Sequence, residues 1–400
     1  WIEKDMDDGR ITYEGEIYYQ GMEYEFEINA STGGISCGVE VFDRADSTEE
    51  FQALFSIRGK ALYPKLGFLF KMAEEILGTS KVEDTKRLYE IVASVKSRAQ
   101  VNLTGAGHST AVLRAAAYSS PMAAFQDEMA GIGYYQFIEK LEKDFEQRKE
   151  ETVEELCKLM KKILRPENFM ISYTGERESL ETVQKLAGAV KAGLGTEPVE
   201  KSEEKLTCTK KNEGFKTSGQ VQYVAQTGNF KKKGLEYTGA LEILKVILSY
   251  DYLWMNIRVK GGAYGCMSGF SRTGEGYFVS YRDPNLERTM EVYEGIADYL
   301  RNFTVSDRDM NKYIIGTMSN IDQPMTPSAK GDRSFNLYMN KVSAETIKKE
   351  RLQILEAGQE DIRKLADVVE AVMKAGQVCV IGSEEKIEEA KDMFKNVTTF

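Results

Sequence analysis

The strongest constraint on the fold of this 400-residue chain is that one order of elements occurs in it twice. In the first half, period-2 alternation of apolar residues predicts strands over 35–42 and 51–59. The polar stretch Arg44, Asp46, Ser47 and Thr48 between them reads as the turn of an antiparallel hairpin. Apolar residues at helical spacing follow: Leu62, Leu66, Leu69, Phe70, Ala73, Ile76 and Leu77 on one face, then Leu88, Ile91, Val92 and Val95 on another. The helical pattern continues over 121–164, with Phe137, Leu141, Phe145, Leu156 and Leu159 as expected buried positions. A strand over 169–173 and a helix to about 194 close this half. The second half predicts a strand over 220–226, a long helix over 236–259, a hairpin of 263–270 and 276–282, and a helix over 286–303. Ser306 then caps a further helix, with Asp309 three residues on, and more helices run to about 375 before a strand over 378–381 and a last helix.

The two halves also match by residue type. Gly33-Gly34-Ile35 answers Gly261-Gly262-Ala263, Ser56-Ile57-Arg58 answers Ser280-Tyr281-Arg282, Ser120-Pro121 answers Thr326-Pro327, and Gly175 answers Gly382. Residues 195–214, charged and punctuated by Gly and Pro, read as a linker. The expectation is therefore an α+β fold in two copies, 1–194 and 215–400, each an antiparallel-rich sheet covered by helices. Residues 1–32 supply no convincing opening helix for the first copy, and the chain begins at Trp1 and not Met, so a segment of something longer is expected.

Composition excludes several functions. A net charge of −10 is a poor footprint for binding nucleic acid. Five cysteines without a CxxC pair suggest neither a disulfide scaffold nor a zinc ribbon, and fit a reducing compartment, so a cytoplasmic location is expected. No long apolar run predicts a membrane span. The Lys231-Lys232-Lys233 run reads as a solvated turn. Tyr18-Tyr19, Tyr134-Tyr135 and the aromatic second hairpin read as core or sheet face.

The chain has one histidine, His108, in Gly105-Ala-Gly-His-Ser109. One histidine cannot build a catalytic zinc site, which normally takes three side-chain ligands. Without a GxSxG elbow a His108-based triad is disfavoured, and the residue is expected to be a structural hydrogen-bonding one. No metal site is expected in this chain.

Chemistry is best placed at Arg258-Val-Lys-Gly-Gly-Ala-Tyr264-Gly, where a helix runs into a diglycine bend and then a strand. The bend can bring a guanidinium and a phenol to one side, offering donors to a peptide carbonyl or to the oxyanion formed on attack. The alternative is that Arg258 complements the helix C-terminus and Tyr264 packs in the sheet.

This segment, with Tyr281-Arg282-Asp283-Pro284-Asn285-Leu286 downstream, resembles the C-terminal half of the presequence-protease and falcilysin branch of the insulinase-like (pitrilysin-type) zinc metallopeptidases. Thr32-Gly33-Gly34-Ile35-Ser36, Gly107-His108, Arg114-Ala-Ala-Ala117 and Ser120-Pro121 resemble the third domain of that family and its associated region. The resemblance implies two homologous LuxS/MPP-like metallohydrolase-type α/β sandwich domains, in a clamshell enzyme whose two halves close on unfolded oligopeptides. It implies that zinc is held by an inverted HxxEH motif in an N-terminal half, which is this chain's partner, and that this chain holds none. It assigns Arg258 and Tyr264 to contact with the substrate and stabilisation of the tetrahedral intermediate, with Gly261, Gly262 and Ala263 lining the substrate. The alternative is a non-catalytic binding or scaffold subunit that kept the fold.

Overall fold

The computed structural model of the chain describes residues 27–199, 206 and 208–399. Tyr18-Tyr19, most of the 1–32 segment and positions 200–205 and 207 of the expected linker lie outside the described residues. The chain forms two compact units: Trp1–Glu40 with Ala53–Leu88 and Gln147–Ser202, and Val41–Gln52 with Tyr89–Glu146 and Glu203–Phe400.

The smaller unit carries most of the first hairpin, β1 (Thr32–Asp43) and β2 (Phe51–Ala61), which pair only with each other among the described residues. Its helices Leu66–Gly78 and Leu180–Ala192 bury Leu66, Met72, Val183, Ala187 and Val190. The strand expected over 169–173 is not formed: no described strand is available to pair with it, and Met170 and Ile171 are both 45% exposed.

In the larger unit, six strands lie in the order β5-β6-β4-β7-β3-β8, namely β3 (Glu213–Thr217), β4 (Tyr223–Asn229), β5 (Gly265–Phe270), β6 (Glu275–Tyr281), β7 (Gln377–Ser383) and β8 (Asn396–Thr399). β4 is antiparallel to β6 and β7, whereas β3 runs parallel to β7 and β8. Successive side chains of a strand point to opposite faces, and both faces are buried here. Val224, Phe278, Val378 and Val380 pack with Leu241, Leu244, Ile247, Leu248, Ile296 and Val369, from helices Ala240–Tyr250, Ile296–Arg301 and Gln359–Ala375. Tyr223, Ala225, Val279, Cys379 and Ile381 pack on the other face with Ala111, Ala115, Tyr118, Ile132 and Tyr135. That second layer comes from helices Gly107–Ala116 and Ile132–Lys143 and the turn after the first of them, so the sheet is the middle layer of an α/β sandwich.

A buried ion network ties the second layer to the sheet. Arg114 donates from Nε (2.6 Å) and Nη2 (3.1 Å) to the Glu213 carboxylate on β3, and from Nη1 to Asp127 (2.6 Å). Asp127 also accepts the backbone N–H groups of Ile132 and Gly133, at the start of the next helix, and Tyr118 donates to Glu213 at 3.0 Å. The two carboxylates therefore have hydrogen-bond donors despite their burial, as a desolvated charge requires.

Several expectations are corrected in detail. Leu141 and Phe145 are buried, but Phe137 (49%) is exposed because the buried stripe of helix Ile132–Lys143 runs through Tyr135, Ile138 and Leu141, and Leu159 (52%) is exposed on the following helix, Phe145–Ile163. The continuous helix over 121–164 is three helices, broken at Gly131 and Asp144. Residues 286–303 form two, Glu287–Glu294 and Ile296–Arg301, either side of Gly295. The lysine run is a 3-10 turn that ties loops down: Lys231 Nζ donates to the Ala45 carbonyl (3.2 Å), and Lys232 Nζ donates to that of Ser119 (2.8 Å) and pairs with Glu49. Ser306 does cap its helix, accepting from the Asp309 N–H at 3.2 Å.

Candidate functional site

Helix Ala240–Tyr250 is fixed by six buried apolar side chains and ends at Asp251, where the backbone leaves the helical region. The chain then re-enters as a π-helical turn, Trp254–Val259, in which the Lys260 N–H reaches back five residues to the Met255 carbonyl (3.0 Å). This wider turn replaces the end of the long helix expected over 236–259, and such π-bulges recur at functional sites. Leu253 and Ile257 are buried on its inner side, which leaves Trp254 and Arg258, also four apart, on the outer side. The Arg258 guanidinium lies over the Trp254 ring, 4.2 Å from its centroid.

The diglycine then turns the chain. A Cβ on Gly261 would lie 2.4 Å from the Ile257 carbonyl oxygen, and Gly262 has φ +83°, so each position requires glycine for its own reason. The Gly262 N–H donates to Arg258 O (2.9 Å) and the Ala263 N–H to Ile257 O (3.1 Å). From outside, Asn285 Nδ2 donates to Gly261 O at 2.6 Å. Asn285 is held in turn by Asp283, whose carboxylate accepts from the Asn285 N–H (2.9 Å) and from Thr289 Oγ1 (2.7 Å). Asp283 is fully buried, and burial raises its carboxyl pKa against the lowering effect of Thr289 and the other donors around it. Its backbone pairs both ways with Gln222. The Asp283-Pro284-Asn285 stretch is thus the strut under the bend, a role that the pattern of residue types does not reveal.

Arg258 and Tyr264 are brought side by side. Arg258 Nη1 donates to the Tyr264 carbonyl at 2.7 Å, and the guanidinium carbon lies 5.5 Å from the centre of the phenol ring. No other hydrogen bond from this guanidinium to a described residue is formed. Tyr264 is 65% exposed, with its N–H donated to the carbonyls of Tyr281 (3.1 Å) and Arg282 (3.3 Å). The Tyr264 side chain is therefore not buried in the sheet, although its N–H pairs with β6, and Arg258 spends one N–H across the bend and not on the helix C-terminus. Of the bend residues, Gly262 is exposed, Gly261 half-buried, and Ala263 buried with its amide engaged. Just inside, on β5, burial pushes the Cys266 thiol up to about 11; Asp283 adds to the rise and Arg258 opposes it.

His108 lies behind this site. Its ring meets Tyr281 edge to face, with centroids 4.8 Å apart, and Tyr223 at 6.4 Å. Its Nδ1 is buried without a hydrogen-bond partner and burial lowers its pKa, which corrects the expectation of a structural hydrogen bond at that nitrogen: the residue is held by aromatic packing. That packing does not suit a metal ligand, and among the described residues no group of three or more His, Cys, Asp or Glu lies together as a metal site would need.

Two family models match the chain: PreP C-terminal domain over residues 212–384, and the associated domain of peptidase M16, subfamily C, over residues 17–141. The protein HypA of Clostridium perfringens is 38% identical over 370 residues, covering 92% of this chain and 38% of HypA. Presequence protease 1, chloroplastic/mitochondrial, of Arabidopsis thaliana is 28% identical over 378 residues, covering 92% of this chain and 35% of its own length. The chain thus spans between a third and two fifths of these curated relatives. Among solved structures, the peptidase M16 inactive domain from Pseudomonas fluorescens has the same fold at 13% identity, with a TM-score of 0.54 over 92% of this chain and 84% of that one. Matched by both models and by these relatives over nearly all of its length, the chain belongs to subfamily C of the M16 peptidases, in which it corresponds to the C-terminal half.

Proposed function

We propose that this chain is the zinc-free half of a soluble, cytoplasmic zinc metalloendopeptidase that degrades unfolded oligopeptides in a closed chamber, and that Arg258 and Tyr264 are its contribution to the reaction. The observation that carries the reading is the pairing of an exposed phenol with a guanidinium that has used one N–H, both at a bend pinned from below. The free N–H groups and the phenol O–H are the donors that a peptide carbonyl needs as it becomes an oxyanion, and holding them in place beforehand avoids reorganisation during the reaction. Gly261 and Gly262 let a peptide backbone approach the pair, with Ala263 fixing the bend beneath. The two homologous domains, 1–194 and 215–400 joined by 195–214, form part of this reading, supported by a left-handed second glycine in both matched pairs, Gly34 (φ +102°) and Gly262 (φ +83°).

Among the described residues, no group of three or more His, Cys, Asp or Glu is placed to hold a zinc ion. The metal, and the base that activates water, belong in this reading to the N-terminal half, and the site is complete only when the two halves close. In the complete two-half enzyme, Arg258→Ala or Tyr264→Phe should lower peptide turnover by roughly 10²-fold. This chain alone should bind no stoichiometric zinc and cleave no peptide. Near-normal turnover in both variants would refute the roles given to Arg258 and Tyr264, whereas the lack of any HxxEH-bearing partner half would favour a non-catalytic binding or scaffold role that keeps the fold.

A further inference from the structure

Tyr264 is an exposed side chain on a bend, and its ring has few neighbours to hold it. One is the Arg258 guanidinium; the other is Tyr281, whose ring it meets at 73° with centroids 5.7 Å apart. Tyr281 also accepts the Tyr264 N–H on its carbonyl, so it holds both the backbone and the ring of that residue. Tyr281 itself is boxed in. His108 meets its ring edge to face at 4.8 Å, Tyr223 lies at 5.7 Å, and the Arg282 guanidinium lies 5.5 Å from its centre. The Tyr223 ring is seated on the start of helix Gly107–Ala116, where a Cβ on Gly107 would come 2.4 Å from it. The Gly107-His108 pair therefore brings a helix end against two sheet tyrosines.

We infer that Tyr281, backed by His108, is a positioning residue for Tyr264: the stack His108–Tyr281–Tyr264 holds the phenol beside Arg258. The inference rests on the reading of Arg258 and Tyr264 as substrate-contacting. An edge-to-face pair prefers a narrow range of geometries, so losing the Tyr281 ring leaves the Tyr264 ring spread over rotamers that do not face the substrate. Substrate binding, which draws on many other contacts, changes little.

The test is steady-state kinetics of the complete two-half enzyme on a fluorogenic oligopeptide. Tyr281→Leu should lower kcat about 3- to 10-fold with KM within about twofold, while Tyr281→Phe, which keeps the ring, should restore kcat. In a Tyr264→Ala background, Tyr281→Leu should lower kcat no further. His108→Leu, which spares β6, should give a smaller loss of about two- to threefold and serves if Tyr281→Leu does not fold. The inference is overturned by an undiminished kcat in Tyr281→Leu and His108→Leu, by failure of Phe to restore it, or by a loss that persists without the Tyr264 ring. If Arg258→Ala and Tyr264→Phe themselves leave turnover intact, the underlying site reading has failed instead, and that result is distinct from the others.

Discussion

The two hairpins of this chain begin alike and end differently. Each starts at a diglycine whose second member has positive φ, and the second strand of each carries a Ser-X-Arg triplet, Ser56-Ile57-Arg58 within β2 and Ser280-Tyr281-Arg282 at the end of β6. In β1–β2 the arginine is neutralised, with Arg58 Nη2 on Glu40 at 2.9 Å and Ser56 on the same carboxylate at 2.9 Å. In β5–β6 the serine is fully buried, and Arg282 forms no ion pair with any described residue. The first hairpin is a two-stranded sheet with mostly exposed side chains, whereas β6 is continued by β4 and three further strands. Two strands alone are marginally stable in water, but a strand within a six-stranded, two-faced sheet is a fixed platform. A bend able to aim a guanidinium and a phenol is thus not enough; the sheet under it has to be stiff.

The comparison breaks most sharply at the arginines. Arg114→Met strips the buried Glu213 and Asp127 carboxylates of their shared cation and should cost the larger unit about 3–5 kcal/mol. Arg58→Met removes a half-exposed pair and should cost about 1 kcal/mol or less. Urea titrations of the two variants check this, and equal shifts would mean that the sheet network is no stiffer than the hairpin.

Cysteines on the two hairpins sharpen it next. Cys37 on β1 is exposed, whereas Cys266 on β5 is half-buried, with its thiol pushed up to about 11. Alkylation at mildly alkaline pH, followed by peptide mass mapping, should be roughly tenfold or more slower at Cys266, which is both less accessible and less ionised. Because the folded pKa of Cys266 lies above its ordinary 9.0, its contribution to stability is complete below that pH and is lost as the pH rises to about 11. Equal labelling rates would show that β5–β6 opens as readily as β1–β2.

The smallest effects separate conformation from chemistry. Gly34→Ala and Gly262→Ala each force a residue with a Cβ into positive φ and should each cost about 1–2 kcal/mol of stability. Only Gly262→Ala should also lower turnover of the complete enzyme, since only that bend carries Arg258 and Tyr264. Equal losses of turnover in both would contradict the assignment of chemistry to the second hairpin.

Much of this architecture was legible in the amino-acid order. Both hairpins, the Ser306 cap and the end of the helical run near Ala375 follow from local spacing, which neighbouring residues satisfy by themselves. What escaped depends on partners far along the chain. β3 lies in Lys-, Asn- and Glu-rich sequence and is a strand because β7 and β8 pair with it in parallel, some 165 residues away for the Thr217–Gly382 hydrogen bond. The 169–173 segment has the apolar composition of a strand, yet no described strand pairs with it. At the site, the proximity of Arg258 and Tyr264 could be read from the diglycine between them. The strut from Asp283 and Asn285, the π-turn, and the backing by His108 could not, since each is made by tertiary packing.

Trp254 is one of only two tryptophans in the sequence, the other being Trp1, and a guanidinium lies 4.2 Å above its ring. The candidate site therefore contains its own optical probe. In a Trp1→Phe background the indole emission comes from this one ring, so any event that lifts Arg258 away, whether a docked peptide or a mutated neighbour, can be followed as a change of colour or intensity without attaching a dye.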